Sequence, residues 1–263
     1  MPGLRISIVE SNLRYLIYTN IEYLKKTKDM SFNFSPKTVT DGLLMYLDAG
    51  NTKSYANGAT WSNIGRNGID GSLLNGATFS SANSGSIVFD AVDDAVRIGV
   101  GNNWFPISTS AFTIEAWVKS PGLVSGSVYN GIISLTYGLT LSLIASGYVF
   151  FRVYDSSLLV INSLASTGVN CYDGKWHHIV GTNDGTTSTI YIDGVFNIST
   201  PFSFYGDTDP SWYSNTSICR IGEEVNNSNR FFNGNIGIVK VYEKALSATE
   251  VLQNFNATKS RFI

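Results

Sequence analysis

The chain has 263 residues, a pI near 5.7 and a formal net charge of -2, with 43% hydrophobic and 13% aromatic residues. That length suits one large β domain or two small ones, and the apolar share is enough for a sizeable core. Charged residues make up only 14%. The surface therefore lacks the basic density that nucleic-acid binding needs, and no apolar run approaches the roughly 18–20 residues that cross a membrane.

The N-terminal 29 residues are more charged than the rest and carry apolar side chains at a weak helical spacing. They lack the uninterrupted apolar core of a signal peptide. A second methionine, Met30, stands where the character of the chain changes. Two interpretations stay open: translation begins at Met30, or the segment is an arm that packs on a neighbour. We divide the chain into an N-terminal arm or extension, residues 1–39, and one domain, residues 40–263.

From residue 40 onward, short apolar runs are separated by turn residues. The run 112–120 places Phe, Ile, Ala and Val on one face and mainly polar residues on the other, which is typical of a strand with one buried face. Further strands are predicted in 131–144 (two strands around Gly138), 147–155, 217–224 and 234–243. Asp193 and Gly194 suit the positive φ values of a tight primed turn, so residues 188–197 are predicted to form a hairpin.

One helix is predicted, near the C-terminus. Ser247 and Glu250 have the spacing of a capping box. The predicted inner face of this helix comprises Leu246, Val251, Leu252 and Phe255. No alternation of strands and helices precedes it, which argues against a parallel sheet. The sequence predicts an all-β fold: an antiparallel jelly-roll β-sandwich with a short C-terminal helix and an N-terminal arm.

The two histidines of the chain, His177 and His178, are adjacent. Successive side chains of a strand point to opposite faces, so the pair cannot chelate one ion from a regular strand. Trp176 and His178 would share one face, and His177 and Ile179 the other. We expect a structural role, with one imidazole in or near the core and the other on the outer surface of the sheet.

Catalytic chemistry finds little support in the sequence. Glycoside cleavage generally needs two carboxylates that face one bond. Glu115 stands alone in its strand, and Glu223 and Glu224 are adjacent, so they would face opposite ways. Asp207 and Asp209 lie in a segment marked as a loop by Gly and Pro. We therefore predict a protein that is not an enzyme and assign no catalytic residue.

The two cysteines, Cys171 and Cys219, do not make a disulfide framework. A single bridge stays open, but two buried free thiols are the favoured interpretation. Cys171 lies only six residues before His177, too close for a catalytic cysteine–histidine assignment.

Loop aspartates leave calcium open as a ligand, because hard carboxylate oxygens form its usual shell. The candidates are Asp93, Asp94, Asp173 and Asp184. Asp173 and Asp184 stand beside glycines and fit ordinary turn positions equally well. We assign no metal ligands and expect no cofactor, with calcium as the alternative.

Two segments, 201–217 and 101–108, collect aromatic residues among amides and carboxylates. That composition is common where a glycan or a protein is contacted. The four candidate ligand-binding residues are Tyr205, Trp212, Tyr213 and Trp104. The alternative is that these loops fold back and their aromatic rings cap the core.

Four motifs stand out: SIVFDAVDDAVRIG, FTIEAWVKS, WHHIVGTNDGTTSTIYIDG and FFNGNIGIVKVYEKALSATEVLQNF. In this order they resemble the LamG-like jelly roll of the concanavalin A-like lectin/glucanase superfamily, over roughly residues 41–256. Ala91 stands where the family often has Gly, and Gly237 stands where many members have an acidic residue. The resemblance implies the fold and a structural histidine pair, but it leaves function open.

The opening and the ending of the domain also resemble structural proteins of tailed bacteriophages. That resemblance implies a non-enzymatic virion protein, assembled in the host cytoplasm, that decorates the capsid or acts as a tail or fibre adhesion module. Its expected partners are other virion proteins or copies of itself and a cell-surface glycan, without nucleic acid and without membrane insertion. The alternative is a free, secreted carbohydrate-binding lectin module; a glycoside hydrolase is the less favoured alternative.

Overall fold

The computed structural model describes residues 36–66, 68–100, 111–124, 126–136, 138–154, 160–201, 218–225 and 230–263. Residues 36–263 form one compact unit. The first 35 residues of the predicted arm lie outside the described ranges, so the arm stays a prediction. No helix in the described part of the chain is long and apolar enough to span a membrane.

Sixteen strands and one α-helix lie within the described residues. They are β1 Leu43–Asp48, β2 Thr60–Trp61, β3 Gly71–Leu74, β4 Thr78–Ser80, β5 Ser86–Asp90, β6 Ala95–Val100, β7 Phe112–Lys119, β8 Tyr129–Leu135, β9 Leu139–Ile144, β10 Val149–Tyr154, β11 Val160–Ala165, β12 Trp176–Asn183, β13 Thr187–Ile192, β14 Val195–Pro201, β15 Ile218–Ile221, β16 Asn233–Tyr242 and α1 Ala248–Thr258. Short 3-10 turns occupy Ala82–Ser84 and Lys259–Arg261.

The strands form two eight-stranded antiparallel sheets, which confirms the predicted fold class. Sheet A has the order β14-β13-β12-β7-β16-β5-β4, and β1 pairs with β16 beyond the end of β5. Sheet B has the order β11-β10-β9-β8-β15-β6-β3-β2. Neighbours in each sheet include strands far apart in sequence, such as β7 with β16, as a jelly roll requires.

The main core lies between the two sheets and follows the period-2 alternation that the sequence shows. On β7, Phe112, Ile114, Ala116 and Val118 are buried in this core, as predicted. Both cysteines are free and buried in the same core, which confirms the favoured interpretation. The predicted hairpin is also present, because β13 and β14 are joined by Asp193 and Gly194 with φ values of 52° and 78°.

Helix α1 packs on the outer face of sheet A. Its N-terminus is the predicted capping box: Ser247 Oγ accepts from the backbone N–H of Glu250, and the Glu250 carboxylate accepts from the backbone N–H of Ser247. Val251 and Phe255 are buried as expected. The prediction was wrong for Leu252, which is 44% exposed. One residue turns a helix by about 100°, so Leu252 leaves the stripe that its neighbour Val251 occupies.

Candidate functional site

The outer face of sheet A carries a buried ionic cluster beneath helix α1. Glu115 on β7 and Lys240 on β16 are both fully buried, and Lys240 Nζ donates to Glu115 Oε1 at 2.6 Å. His178 Nε2 on β12 lies 3.1 Å from the same oxygen. Burial alone would raise the pKa of the Glu115 carboxyl, but the charges of Lys240 and His178 outweigh it and lower this pKa to about 2.

The helix supplies the remaining partners of this cluster. Asn254 Nδ2 donates to Glu115 Oε2 at 2.6 Å and to the Tyr242 hydroxyl at 2.9 Å, and Asn254 Oδ1 accepts from the backbone N–H of Val39. Trp117 Nε1 donates to Thr258 Oγ1 at 2.8 Å. These bonds dock the helix and residue 39 on the sheet. Glu115 is therefore a structural carboxylate that no substrate reaches.

His177 faces the other way from His178, as predicted, but both imidazoles are buried. His177 Nδ1 lies 2.9 Å from Asp193 Oδ2 and its Nε2 lies 3.1 Å from Asp173 Oδ1. Burial alone would lower the pKa of His177, but these two carboxylates outweigh it and raise the pKa. We expected one of the two imidazoles on the outer surface of the sheet; His178 lies on that face but is covered by helix α1, whose Phe255 ring lies 5.7 Å from it. The structure supports the structural interpretation of the pair.

An acidic corner lies where β5 leaves sheet A for β6 of sheet B. Asp90, Asp93 and Asp94 bring one ligand atom each within 4.8 Å of one another. Asp94 is buried; its Oδ2 accepts from the backbone N–H of Asp90, and its Oδ1 has no hydrogen-bond partner among the described residues. Burial raises the pKa of Asp94, and the charges of Asp90 and Asp93 add to the increase.

The donor chemistry of this corner fits a hard cation such as Ca²⁺, although three carboxylates supply fewer oxygens than the six to eight that it takes. Asp93 and Asp94 were among the sequence candidates, whereas Asp90 was missed. The other two candidates lie elsewhere: Asp173 pairs with His177, and Asp184 Oδ1 caps the turn at residues 186–187.

The outer face of sheet B carries a row of polar side chains on every one of its eight strands. From one edge to the other the row is Thr60, Ser72, Arg97, Arg220, Ser134, Thr140, Arg152 and Ser163. Residues paired across neighbouring strands share a face and lie about 5 Å apart. Their sequence neighbours, for example Leu141 and Val153, belong to the core, so the row points away from it.

The segment that follows β15 crosses this row at Ser134. Ser134 Oγ donates to the carbonyl of Glu223 at 2.7 Å and accepts from the backbone N–H of Val225 at 2.9 Å. Gly131 permits this approach, since a Cβ there would lie 2.5 Å from the backbone nitrogen of Glu224. The crossing separates Arg97 on β6 and Arg220 on β15 from the part of the row on β9 and β10.

On the far side of the crossing lies a surface that we call the β9–β10 face, defined by Tyr129, Thr140, Ser142, Phe150 and Arg152. Thr140 and Ser142 are 1% and 0% exposed, yet in the described part of the chain neither hydroxyl has a hydrogen-bond partner. Each hydroxyl can donate one hydrogen bond and accept others. A buried hydroxyl without a partner costs about 1–3 kcal/mol, which makes this pair a place where a polar ligand atom would be stabilised.

Aromatic and guanidinium groups surround the two hydroxyls and are partly exposed. The Arg152 guanidinium lies 4.3 Å from the centroid of the Phe150 ring, and that ring lies 5.7 Å from the Tyr129 ring. Arg230 stacks on Tyr129 at 4.1 Å and donates to Glu224 Oε1 at 2.8 Å. Stacked planar groups above hydroxyls provide both apolar contact and directed hydrogen bonds.

The four ligand-binding residues named from the sequence, Tyr205, Trp212, Tyr213 and Trp104, lie outside the described residues, so their role stays a prediction. The β9–β10 face was missed. Its signal was present in the sequence: the hydroxyls of Thr140 and Ser142 alternate with leucines, and Phe150 and Arg152 follow at the same two-residue period. Only the strand register shows that they meet.

A laminin G family model, described as the Concanavalin A-like lectin/glucanases superfamily, matches residues 90–252. That range is more than half of the chain, and the two-sheet sandwich agrees with it. The chain belongs to the concanavalin A-like lectin/glucanase superfamily. The comparison with curated proteins found no match.

Solved structures with the same fold include binding domains of toxins. The binding domain of Paraclostridial Mosquitocidal Protein 1 has a TM-score of 0.62 at 18% identity, and the match covers 82% of this chain and 52% of that one. The binding domain of Botulinum Neurotoxin DC in complex with SialylT has a TM-score of 0.62 at 14% identity, covering 84% and 52%. The present chain thus spans about half the length of these toxin domains.

A third similar structure matches over nearly its whole length. Domain 4 of AbnA, an extracellular arabinanase from Geobacillus stearothermophilus, in complex with arabinotriose, has a TM-score of 0.58 at 16% identity, covering 82% of this chain and 99% of that one. At these identities the likeness shows the fold alone.

Proposed function

We propose that this chain is a non-enzymatic glycan-binding module whose ligand occupies the β9–β10 face. The observation that carries the proposal is the pair of buried, unpartnered hydroxyls of Thr140 and Ser142 beneath partly exposed aromatic and guanidinium groups. A sugar presents hydroxyls in several directions and apolar C–H faces, so it can stack on the partly exposed rings and also pair with the hydroxyls. Because both hydroxyls are buried, this pairing requires the side chains that cover them to move aside when the ligand binds.

Two of the similar structures support the class of ligand by analogy. The toxin binding domain is in complex with SialylT, and the arabinanase domain is in complex with arabinotriose. Function is grafted onto folds site by site, so the analogy favours the class and leaves the position of the site to the geometry of this chain.

The proposal does not include hydrolysis, because neither of the described glutamates Glu115 and Glu224 is available as a catalytic carboxylate. Glu115 is fully buried and paired with Lys240 beneath the helix. Glu224, beside the β9–β10 face, is 1% exposed at its side chain and holds Arg230. Glycoside cleavage generally needs two carboxylates facing one bond. The test is the release of reducing ends from laminarin and from any glycan that binds; release by the purified chain would overturn this part.

Binding is tested with a glycan array followed by calorimetry on the best ligand. Thr140→Val and Phe150→Ala should each weaken binding about tenfold, the loss of one hydrogen bond or one stacked ring. Thr60→Val is the matched control, because Thr60 is an exposed member of the same polar row at the far edge of the sheet. Wild-type affinity in Thr140→Val and Phe150→Ala would refute the site, and a blank array would refute the function.

Stability provides an independent readout for Thr140→Val. Removing a buried hydroxyl that lacks a partner should leave the unfolding midpoint unchanged or raise it. Weaker binding in a protein that is no less stable would identify Thr140 as a ligand contact. Weaker binding that accompanies a large drop in midpoint would instead indicate damage to the fold and would count against the proposal.

We also propose that the module works on a bacteriophage virion, as a capsid decoration or as a tail or fibre adhesin, with the free lectin as the alternative. The resemblance of the opening and ending of the domain to tailed-phage structural proteins supports this placement. Mass spectrometry of purified particles, with copy number per particle, tests it. A high copy number would favour the capsid, a low one the tail, and absence from particles would leave the free lectin.

A further inference from the structure

The acidic corner between β5 and β6 concentrates negative charge without a compensating side chain. Asp90, Asp93 and Asp94 bring one carboxylate oxygen each within 4.8 Å of one another. Among the described residues, none of the three forms an ion pair with a lysine, an arginine or a histidine. Like charges this close repel one another, so the corner is destabilised unless a proton or a cation neutralises it.

Asp94 gives an independent sign that a cation belongs in this corner. The residue is 3% exposed, and its Oδ1 is buried and has no hydrogen-bond partner in the described part of the chain. Its other oxygen, Oδ2, accepts from the backbone N–H of Asp90 at 3.0 Å, so the carboxylate is held in place. A buried carboxylate oxygen without a donor is costly in its ionised form, and a bound cation removes this cost.

Local contacts fix the three carboxylates around a common point. Asp90 Oδ1 accepts from a backbone N–H two residues further on at 2.8 Å, and Asn75 Nδ2 donates to the carbonyl of Asp93 at 2.8 Å. A Cβ at Gly76 would lie 3.0 Å from Asp94 Oδ1, so glycine keeps the space beside this oxygen free. Two oxygens that bind one Ca²⁺ at about 2.3–2.6 Å lie at most about 5 Å apart, so all three carboxylates can reach one ion.

We propose that the acidic corner is a Ca²⁺ site in which Asp90, Asp93 and Asp94 are the protein ligands and water completes the shell. Ca²⁺ accepts flexible arrangements of hard oxygens, whereas Mg²⁺ demands near-ideal octahedral geometry and gives up its waters reluctantly. An irregular set of carboxylates from one turn therefore favours Ca²⁺. The ion joins the end of β5 in sheet A to the turn that leads into β6 of sheet B. This proposal is independent of the glycan-binding function, which concerns other strands.

Calorimetric titration of the full chain with CaCl₂ tests the proposal, together with thermal unfolding in EDTA, in Ca²⁺ and in Mg²⁺ at constant ionic strength. We expect one site with a dissociation constant of about 10⁻⁴–10⁻³ M, the weak end of the range for protein calcium sites. At about 10 mM Ca²⁺ the thermal midpoint should lie at least about 2 °C above its value in EDTA, because the ion binds only the folded state. Mg²⁺ at the same concentration should shift the midpoint less.

Two variants locate the site. Asp94→Asn removes the buried charge and keeps the shape of the side chain, so its midpoint in EDTA should equal or exceed that of wild type, and Ca²⁺ should no longer raise it. Loss of the calcium shift in a protein that is no less stable in EDTA separates a lost ligand from a damaged fold. Asp93→Asn, at an exposed position, should weaken Ca²⁺ binding about tenfold and supplies the test if Asp94→Asn fails to fold. Asp41→Asn is the matched control, because it removes one exposed carboxylate outside the corner and should keep the full calcium shift.

Each outcome decides one part of the proposal. Absence of both binding heat and a midpoint shift at about 10 mM Ca²⁺ would overturn it and leave a proton as the group that neutralises Asp94. A calcium shift that Asp94→Asn and Asp93→Asn both retain would show that the ion binds elsewhere and refute the assignment to this corner. A shift with Mg²⁺ that equals or exceeds the shift with Ca²⁺ would contradict the choice of ion.

Discussion

The buried pair of Glu115 and Lys240 yields a quantitative prediction about stability. Glu115→Gln leaves the Lys240 ammonium, fully buried, without the carboxylate that lies 2.6 Å from it. Removing one partner of a buried ion pair costs about 3–5 kcal/mol, because the remaining charge stays out of water. Lys240→Met should cost a similar amount, whereas Glu115→Gln combined with Lys240→Met should cost much less than the sum of the two.

The pKa of Glu115 supplies a second route to the same magnitude. A carboxyl whose pKa is 4.5 in the unfolded chain and about 2 in the folded protein contributes about 3 kcal/mol to stability at pH 7. Because the folded value is the lower one, this contribution is complete above about pH 4.5 and is lost as the pH falls towards 2. The stability gap between wild type and Glu115→Gln should therefore narrow across that acid range.

Urea unfolding of the four proteins of this double-mutant cycle, at pH 7 and at pH 3, tests both statements. Glu243→Gln is the control, because Glu243 pairs with Arg66 at the surface, where an ion pair contributes less than about 1 kcal/mol. Additive losses in the two single variants would refute the pairing, and a gap that stays constant between pH 7 and pH 3 would refute the assignment of the acid-sensitive contribution to Glu115.

Three further predictions concern titratable groups. The pKa of His177 is raised in the folded protein, so its contribution to stability is full below its ordinary pKa and is lost as the pH rises through the folded value. NMR titration of wild type, with the His177 signal assigned from its loss in His177→Asn, should show a raised pKa for His177, and an ordinary value would contradict the Asp193 pairing. Burial raises the pKa of the Cys171 and Cys219 thiols to about 12, so a thiol reagent should label neither thiol in the native protein and both in denaturant; rapid native labelling would count against their burial. Because the pKa of Asp94 is raised on folding, its ionised form costs stability at pH 7, and Asp94→Asn should raise the thermal midpoint; a lower midpoint would contradict the geometry of the acidic corner.

Local sequence patterns predicted the elements whose cause is local. The alternation in β7, the turn at Asp193 and Gly194, and the capping box at Ser247 each depend on neighbours within a few residues, and each is confirmed. The partners of Glu115 could not be predicted from its strand, because Lys240 follows it by 125 residues in the chain. Pairings of that kind depend on which strands become neighbours, and the sequence of one strand does not contain this information.

The β9–β10 face shows the same limit at the candidate site. In sequence, each of its strands has the alternating pattern of a half-buried strand, and Thr140 and Ser142 are two polar positions on its outer side. Their place in a candidate binding face follows from the register, which sets Arg152 opposite Thr140 and Phe150 opposite Ser142. The segment after β15, which contacts Ser134, bounds this face on one side. A shift of one residue in the register would send these side chains into the core.

The buried polar groups on the outer faces of the two sheets differ in whether they have partners, so substitutions on the two faces should affect stability and binding differently. On sheet A, the polar groups of Glu115, Lys240 and Asn254 are paired beneath the helix, so changing any of them leaves a buried group without a partner and weakens the fold. On sheet B, the hydroxyls of Thr140 and Ser142 have no described partner to lose, so apolar replacements there remove a cost instead of creating one. Substitutions beneath the helix should therefore lower the unfolding midpoint, and substitutions of these hydroxyls should lower affinity without lowering the midpoint. If the Thr140 and Ser142 variants were as destabilised as the Glu115 variant, the hydroxyls would have partners within the protein, and the main reason for placing a ligand on this face would be gone.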